Sequence, residues 1–145
     1  MNENTIEIIK ATAPVIKEHG EAITTAMYKI LFTNHPEAKA LFKNADPDQY
    51  KKLAAMVYAY AANIDNLGAL GQGVEKVANI HVNVDVKPEH YPWVGEALLG
   101  AIVEVLGEAA TPEIMNAWKE AFFFLADVFI NKEQEIYASR VTATL

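Results

Sequence analysis

The chain has 145 residues, enough for one globular domain, and its 52% hydrophobic and 21% charged residues are typical of a folded protein. The absence of cysteine excludes disulfides, thiolate metal sites, thiol nucleophiles and thioether attachment of a cofactor. The net charge of −7, with Arg140 as the only arginine, argues against a nucleic-acid partner, because phosphate binding needs clustered positive charge.

The apolar segments and the start of the chain bear on localisation. Residues 1–7 contain acidic side chains where a secretory signal peptide needs basic ones followed by an apolar run. The longest nearly uncharged apolar stretch, residues 53–64, is shorter than the ~20 residues that cross a bilayer. The sequence therefore predicts a soluble, cytoplasmic protein without a transmembrane segment.

Helical periodicity dominates the first third of the chain. The pattern predicts a first helix that ends at Gly20 and is bent by Pro14, because proline removes a backbone hydrogen bond. A second helix is predicted from Glu21 to about Asn34, ahead of Pro36. A short helical turn follows.

The next helix has the clearest start signal in the chain. Asp46 is a good N-cap, Pro47 suits the first helical position and Gln49 the third. Further helices are predicted over residues 74–81, from Glu89 or Pro92 to 107, and from Pro112 onward. The expected fold is all-α, with about seven or eight helices.

One segment does not fit this pattern. Residues 80–86 alternate apolar and polar side chains, as a strand does. A lone strand would have no partner to pair with, so the segment is interpreted as a helix end that runs into an extended turn. As a strand it would place His81, Asn83 and Asp85 on one face, which could hold a metal ion.

The four histidines differ in their surroundings. His19 is predicted at a helix end and His90 at a solvated loop or helix start, while Pro36 forces His35 out of helical conformation. His81 follows apolar residues at helical spacing, and from spacing alone a buried core histidine is favoured over a metal ligand. Periodicity does not separate His81 firmly from His35.

Glu133 is an acidic residue on an apolar helical face. Its neighbours at helical spacing are apolar or aromatic, whereas those of Glu135 are polar or small, so Glu133 should point inward and Glu135 outward. A buried carboxylate needs a partner, because desolvating it alone is costly. The alternatives are a hydrogen bond to a buried histidine or tyrosine, and a frayed helix end.

Common enzyme motifs are missing. The sequence has no H-E-x-x-H, no G-x-G-x-x-G and no P-loop pattern, and Ser139 is its only serine. A zinc protease, a nucleotide-binding enzyme of these classes and a Ser/His/Asp triad are therefore not indicated.

Several stretches, taken together, resemble bacterial globins of the flavohaemoglobin class in their single-domain form. These stretches are residues 8–14, 17–20, 28–32, 35–37, 41–42, 90–95 and 126–130. The resemblance covers nearly the whole chain, and it implies a globin fold around a haem pocket, with residues 1–145 forming a single globin domain.

The resemblance implies haem b, bound non-covalently between the helix with Leu53 and the helix with His81. His81 matches the proximal ligand, whose Nε2 bonds the iron. Glu133 matches the glutamate that accepts from the other ring nitrogen, and Tyr91 matches a tyrosine bonded to the same carboxylate. This role agrees with the inward orientation that spacing predicts for Glu133.

On the distal side of the haem, Tyr28 and Gln49 match the family's polar pair, and Phe42 and Leu53 match residues that pack on the haem. Tyr28, Gln49, Tyr91 and Glu133 are therefore the expected catalytic residues. The other haem contacts that the resemblance implies are Val94, Leu98 and Phe122.

Four positions depart from the family pattern. Tyr50 replaces a common proline, so either Gln49 or Tyr50 could face the iron. Trp93 replaces an aliphatic residue and Phe122 a common tyrosine. Ile80 stands where a lysine associated with the flavin-domain junction is usual, which fits a chain without an attached reductase.

The implied function is reversible binding of oxygen, nitric oxide and carbon monoxide. The resemblance also implies conversion of nitric oxide to nitrate by bound oxygen, with a separate flavin reductase restoring ferrous iron. Two alternatives remain at this stage: an oxygen carrier or buffer without turnover, and a sensor or interaction module.

Overall fold

The computed structural model describes residues 1–43 and 45–144, with side chains described as far as residue 141. Within these residues the protein contains helices and no strand, which confirms the all-α prediction. The five α-helices are α1 (Glu3–Asn34), α2 (Gln49–Ala62), α3 (Gly71–Asn83), α4 (His90–Leu106) and α5 (Pro112–Thr144). Three short 3₁₀ segments are Pro36–Phe42, Leu67–Leu70 and Gly107–Ala109.

The predicted break at Gly20 is wrong, because α1 is one continuous helix of 32 residues. His19 consequently lies inside a helix and not at its end. The glycine serves close packing: a Cβ placed on Gly20 would lie 3.1 Å from the Cβ of Ala54 on α2. Tertiary contact thus explains a residue that local propensity assigns to a helix terminus.

The start of α2 also differs from its prediction. The helix begins at Gln49, and the preceding residues form a turn in which the amide of Gln49 donates to the carbonyl of Asp46 at 3.0 Å. The side chain of Asp46 bonds Lys52, and the N-cap residue Asp48 makes no side-chain capping bond. The first turn of α2 therefore lacks the local cap that the sequence predicts.

The alternating segment 80–86 is the end of α3 followed by a turn, as interpreted from the sequence. The amide of Val86 donates to the carbonyl of His81 at 3.0 Å, and Asp85 adopts a positive φ of 64°. Ile80 is exposed on the outer face of α3. His81, Asn83 and Asp85 therefore do not share a strand face.

Two apolar clusters form the core. The larger one lies between α1, α2, α4 and α5 and includes the fully buried Trp118. The smaller one joins α3 to α4 and α5 through Ala78, Tyr91, Ala126 and Phe129. As a result, α2 packs against α1 while α3 packs against α5.

No helix within the described parts of the chain has both the length and the apolar character needed to cross a membrane.

Candidate functional site

A histidine, a tyrosine and a glutamate from three helices meet beside the smaller core cluster. Nδ1 of His81 on α3 lies 2.7 Å from Oε2 of Glu133 on α5 and 3.1 Å from the hydroxyl of Tyr91 on α4. The Tyr91 hydroxyl lies 2.8 Å from both carboxylate oxygens and can donate to either. Residues that are 42 and 52 positions apart in sequence thus form one network, called here the His–Tyr–Glu triad.

Burial sets the electrostatics of this triad. Glu133 is 3% exposed, and its two donors offset the cost of removing a carboxylate from water. Burial, together with the adjacent Glu133 carboxylate, raises the pKa of Tyr91 far above its ordinary value, so the phenol remains a donor. The expected inward orientation of Glu133 agrees with this arrangement, and Glu135 is exposed as predicted.

The hydrogen bonds of His81 favour one tautomer. A carboxylate at 2.7 Å is an acceptor, so Nδ1 carries the proton in the neutral ring. Nε2 then presents a lone pair, and none of the described residues hydrogen-bonds to it. Phe129 packs against the ring with 5.4 Å between the centroids and restricts its rotation.

The end of α5 also holds the turn that follows His81. The hydroxyl of Tyr137 donates to the carbonyl of Val86 at 2.9 Å, and Lys87 lies over the Tyr137 ring at 4.4 Å from its centroid. Arg140 donates to the side-chain oxygen of Asn83 at 2.7 Å. The C-terminal end of α3 and the turn that follows it are thereby fixed to α5.

The second group of predicted site residues lies where α1 meets the start of α2. Tyr28 packs edge-on against Phe42 at 5.2 Å between ring centroids and against Phe32 at 5.8 Å. Burial raises the pKa of Tyr28 to about 12, while a hydrogen bond with the side chain of Gln49 acts in the opposite direction. The structure therefore brings Tyr28, Gln49 and Phe42 together.

Tyr50, the alternative to Gln49, has different surroundings. Its ring lies 5.9 Å from the Lys51 ammonium, and its carbonyl accepts a hydrogen bond from Thr24. The neighbouring side chain that lowers the pKa of Tyr28 is that of Gln49. Gln49 is accordingly the polar partner of Tyr28 in this structure.

The predicted apolar contacts occupy two kinds of environment. Phe42, Leu53 and Val94 are half-buried and pack with one side on the larger core, whereas Leu98 is 5% exposed and belongs to that core. Phe122 packs against both clusters and lies over Gly95, where a Cβ would come within 2.6 Å of its ring. The half-buried residues leave an apolar surface beside Tyr28 and Gln49.

Two features of this region were not predicted from the sequence. Trp93 stacks on His35 with 4.4 Å between centroids and an interplanar angle of 9°. Thr24, one turn before Tyr28 on α1, bonds the start of α2. Its four-residue spacing from both Gly20 and Tyr28 was the available signal, since such residues share one helix face.

Comparison with known proteins identifies the family. The globin family model matches residues 25–129, and the chain therefore belongs to the globin family. An uncharacterized globin-like protein of Aquifex aeolicus is 46% identical over 138 residues, which are 95% of this chain and 98% of that protein. The predicted all-α globin fold is confirmed.

The chain also resembles one part of larger proteins. It is 52% identical to a flavohemoprotein of Oceanobacillus iheyensis over 140 residues, which are 94% of this chain and 34% of that protein. The chain thus spans about a third of this relative, and the resemblance to the globin part of flavohaemoglobins is confirmed.

Solved structures agree with this assignment. An engineered carbene transferase from Rhodothermus marinus, provisionally described as a nitric oxide dioxygenase, has a TM-score of 0.93 at 39% identity, covering 97% of this chain and 99% of that one. A bacterial globin from Campylobacter jejuni has a TM-score of 0.87 at 38% identity, covering 94% and 99%.

Proposed function

We propose that residues 1–145 form a single globin domain that binds haem b non-covalently and takes oxygen, nitric oxide and carbon monoxide as ligands. We further propose that it supports the oxidation of nitric oxide to nitrate in the cytoplasm, with electrons from a flavin reductase. The observation that carries this proposal is the His–Tyr–Glu triad, which leaves Nε2 of His81 available as a ligand.

The residues present fit a haem group. A haem needs a side-chain ligand for its iron, such as a histidine nitrogen, and apolar side chains against its faces. His81 supplies the donor, and the half-buried Phe42, Leu53 and Val94 supply apolar surface that would otherwise contact water. Because α2 packs on α1 and α3 packs on α5, the two groups belong to different helix pairs, as the two sides of a haem pocket do.

When bound, the haem would supply a ferrous iron that takes up a diatomic gas. Around it, Glu133 accepts the Nδ1 proton of His81, which makes Nε2 a stronger electron donor and fixes the ring orientation. Tyr91 donates to the same carboxylate and keeps it in place. The triad therefore favours reactive oxygen chemistry over passive storage.

Tyr28 and Gln49 would act on the opposite side. The raised pKa of Tyr28 keeps its hydroxyl protonated at neutral pH, so it can donate to a ligand that gains negative charge. Gln49 lies beside that hydroxyl and would orient it. Phe32 and Phe42 exclude water from the phenol, and this strengthens each hydrogen bond made there.

The proposed reaction combines one nitric oxide, one oxygen molecule and one electron to give one nitrate ion. The relative from Rhodothermus marinus, provisionally described as a nitric oxide dioxygenase, supports this choice, as do relatives named flavohemoproteins. Since the chain spans 34% of the flavohemoprotein from Oceanobacillus iheyensis, the electron is assigned to a flavin reductase outside these residues.

The test has two stages. Purified protein is first titrated with haem, and a Soret band that saturates at one haem per chain is expected. The oxygenated protein is then mixed with nitric oxide, NADH and a flavin reductase, with nitrate formation measured against nitric oxide consumed. One nitrate ion is expected for each nitric oxide molecule consumed.

Two results would contradict the proposal. Reversible oxygen binding without nitrate formation would replace the enzyme by the oxygen-carrier alternative. Failure to bind haem would reject both functions and leave a sensor or interaction module.

A further inference from the structure

One face of α1 meets the start of α2 at three successive levels. Gly20 faces Ala54, Thr24 bonds the carbonyl of Tyr50, and Tyr28 lies beside the side chain of Gln49. The three α1 residues are four positions apart and share one face. Their partners on α2 follow the reverse order in the sequence: Ala54, Tyr50 and Gln49. Each contact therefore restricts how the two helices can slide past each other at the next contact.

Thr24 forms the middle level with a buried hydroxyl. The residue is 1% exposed, and its Oγ lies 2.8 Å from the Tyr50 carbonyl, closer than the carbonyls of Gly20 at 3.1 Å and Glu21 at 3.3 Å. A hydroxyl has one proton to donate, and the shortest distance assigns it to Tyr50. This bond crosses between helices, whereas the other two contacts stay within α1.

The first turn of α2 lacks side-chain capping at its exposed end. Its N-cap residue Asp48 makes no side-chain capping bond, and the turn before it is exposed. Helix starts leave several amides without an intrahelical partner, and an uncapped first turn opens easily. Gln49 is the first residue of this turn, so its side chain moves whenever the turn opens.

We propose that Thr24 is a positioning residue for Gln49. Its hydroxyl holds the first turn of α2 against α1, and this keeps the Gln49 side chain beside the Tyr28 hydroxyl. The role in ligand binding rests on the proposed function, whereas the role in holding the turn does not. The Thr24 side chain is buried under this turn, and it acts only through its hydrogen bond to the backbone carbonyl of Tyr50.

The first experiment measures amide hydrogen exchange in the purified protein and three variants. Thr24→Val keeps the shape and removes the hydroxyl, and Thr24→Ser keeps the hydroxyl. Thr33→Val is the matched control, because Thr33 also lies on α1 but its hydroxyl bonds only the Lys29 carbonyl of the same helix. Amides in the first two turns of α2 should exchange about fivefold faster in Thr24→Val, the effect of losing one hydrogen bond.

The expected pattern is specific to the hydroxyl. Thr24→Ser should restore exchange to within about twofold of the parent protein, and Thr33→Val should leave α2 unchanged. Unchanged exchange in Thr24→Val would overturn the proposal, and so would equal acceleration in α5, which would indicate general destabilisation. If Thr24→Val does not fold, Thr24→Ala is compared with Thr24→Ser in the same way.

The second experiment asks whether Thr24 acts through Gln49. Oxygen dissociation from the haem-loaded protein should be about three- to tenfold faster in Thr24→Val and in Gln49→Ala. The double variant should be no faster than Gln49→Ala alone, because Thr24 is proposed to act only through the Gln49 side chain. If the increase in the dissociation rate of the double variant equals the product of the two single increases, the proposal is overturned.

The two experiments also separate the two proposals. If the protein fails to bind oxygen, the proposed function fails while the exchange measurement still decides the role of Thr24. If oxygen binds and exchange in α2 does not respond to Thr24, the positioning role fails alone.

Discussion

The two polar groups of the proposed haem pocket are built in contrasting ways. On the α3–α5 side, three side chains from three helices form a buried network around a carboxylate that is 3% exposed. On the α1–α2 side, one tyrosine and one glutamine meet at a helix start that lacks a side-chain cap. The first arrangement fixes His81 through hydrogen bonds to a buried charge, whereas the second consists of two neutral side chains.

The energetics of the two sides explain this difference. Breaking a buried charge network strands a desolvated carboxylate, which costs more than losing a bond between neutral groups. Changes on the α3–α5 side should therefore affect haem retention and folding, and changes on the α1–α2 side should affect ligand exchange. The following predictions test this division, beginning with the largest effect.

His81→Ala should lower haem affinity at least about 100-fold, because the protein loses its proposed iron ligand and retains only apolar contacts. The measurement is a haem titration followed by the Soret band. His19→Ala is the control, since His19 is a half-exposed residue in the middle of α1. Equal affinity in both variants would show that His81 is not the ligand.

Glu133→Ala should lower the free energy of unfolding by about 3 kcal/mol, because Tyr91 and His81 lose a buried acceptor. Glu135→Ala, on the same helix but exposed, should change it by less than about 0.5 kcal/mol. Urea unfolding of the two variants measures the difference. A similar loss of unfolding free energy in the two variants would show that the hydrogen bonds of Glu133 do not stabilise the protein.

Tyr28→Phe should speed oxygen dissociation about 10- to 100-fold, since the hydroxyl is the proposed donor to a ligand carrying negative charge. The free energy of unfolding should change much less than in Glu133→Ala. Tyr58→Phe is the control, because Tyr58 on α2 packs under Lys17. Stopped-flow oxygen release provides the measurement, and an unchanged rate would remove Tyr28 from the ligand site.

The smallest effect concerns alkaline pH. The pKa of Tyr28 rises from 10.0 to about 12 on folding, so between these values the unfolded chain loses this proton while the folded protein keeps it. The unfolded state then binds fewer protons, and the free energy of unfolding falls as pH rises through this window. Tyr28→Phe should make that fall less steep and leave the slope near pH 8 unchanged. If the free energy of unfolding falls equally steeply with pH in both proteins across this window, the raised pKa of Tyr28 is contradicted.

Local chemistry was sufficient to predict most helices and one side of the site. The apolar spacing around Glu133 indicated an inward carboxylate, and helical periodicity placed His81 near the end of its helix. Neither pattern could identify the partner, because the residues that meet are 42 to 52 positions apart. At the level of sequence, only the resemblance to flavohaemoglobin globins connects His81, Tyr91 and Glu133.

Two predicted helix boundaries were wrong, each for its own reason. When only neighbouring residues are considered, Gly20 is typical of a helix end and Asp46 is typical of a helix N-cap. In the structure, Gly20 admits Ala54 to close contact, and Asp46 bonds Lys52. Packing between helices decided the first position, whereas an exposed ion pair at the start of α2 replaced the expected cap at the second.

The sequence by itself determined an acidic, cysteine-free, all-α chain with a carboxylate directed inward and a globin resemblance along most of its length. Only tertiary structure brought the side chain of Gln49, and not that of Tyr50, beside Tyr28, and placed the Thr24 hydroxyl against the carbonyl of Tyr50. The reason is physical: periodicity records which face of a helix is apolar, whereas a hydrogen bond requires the angle and depth at which two helices cross.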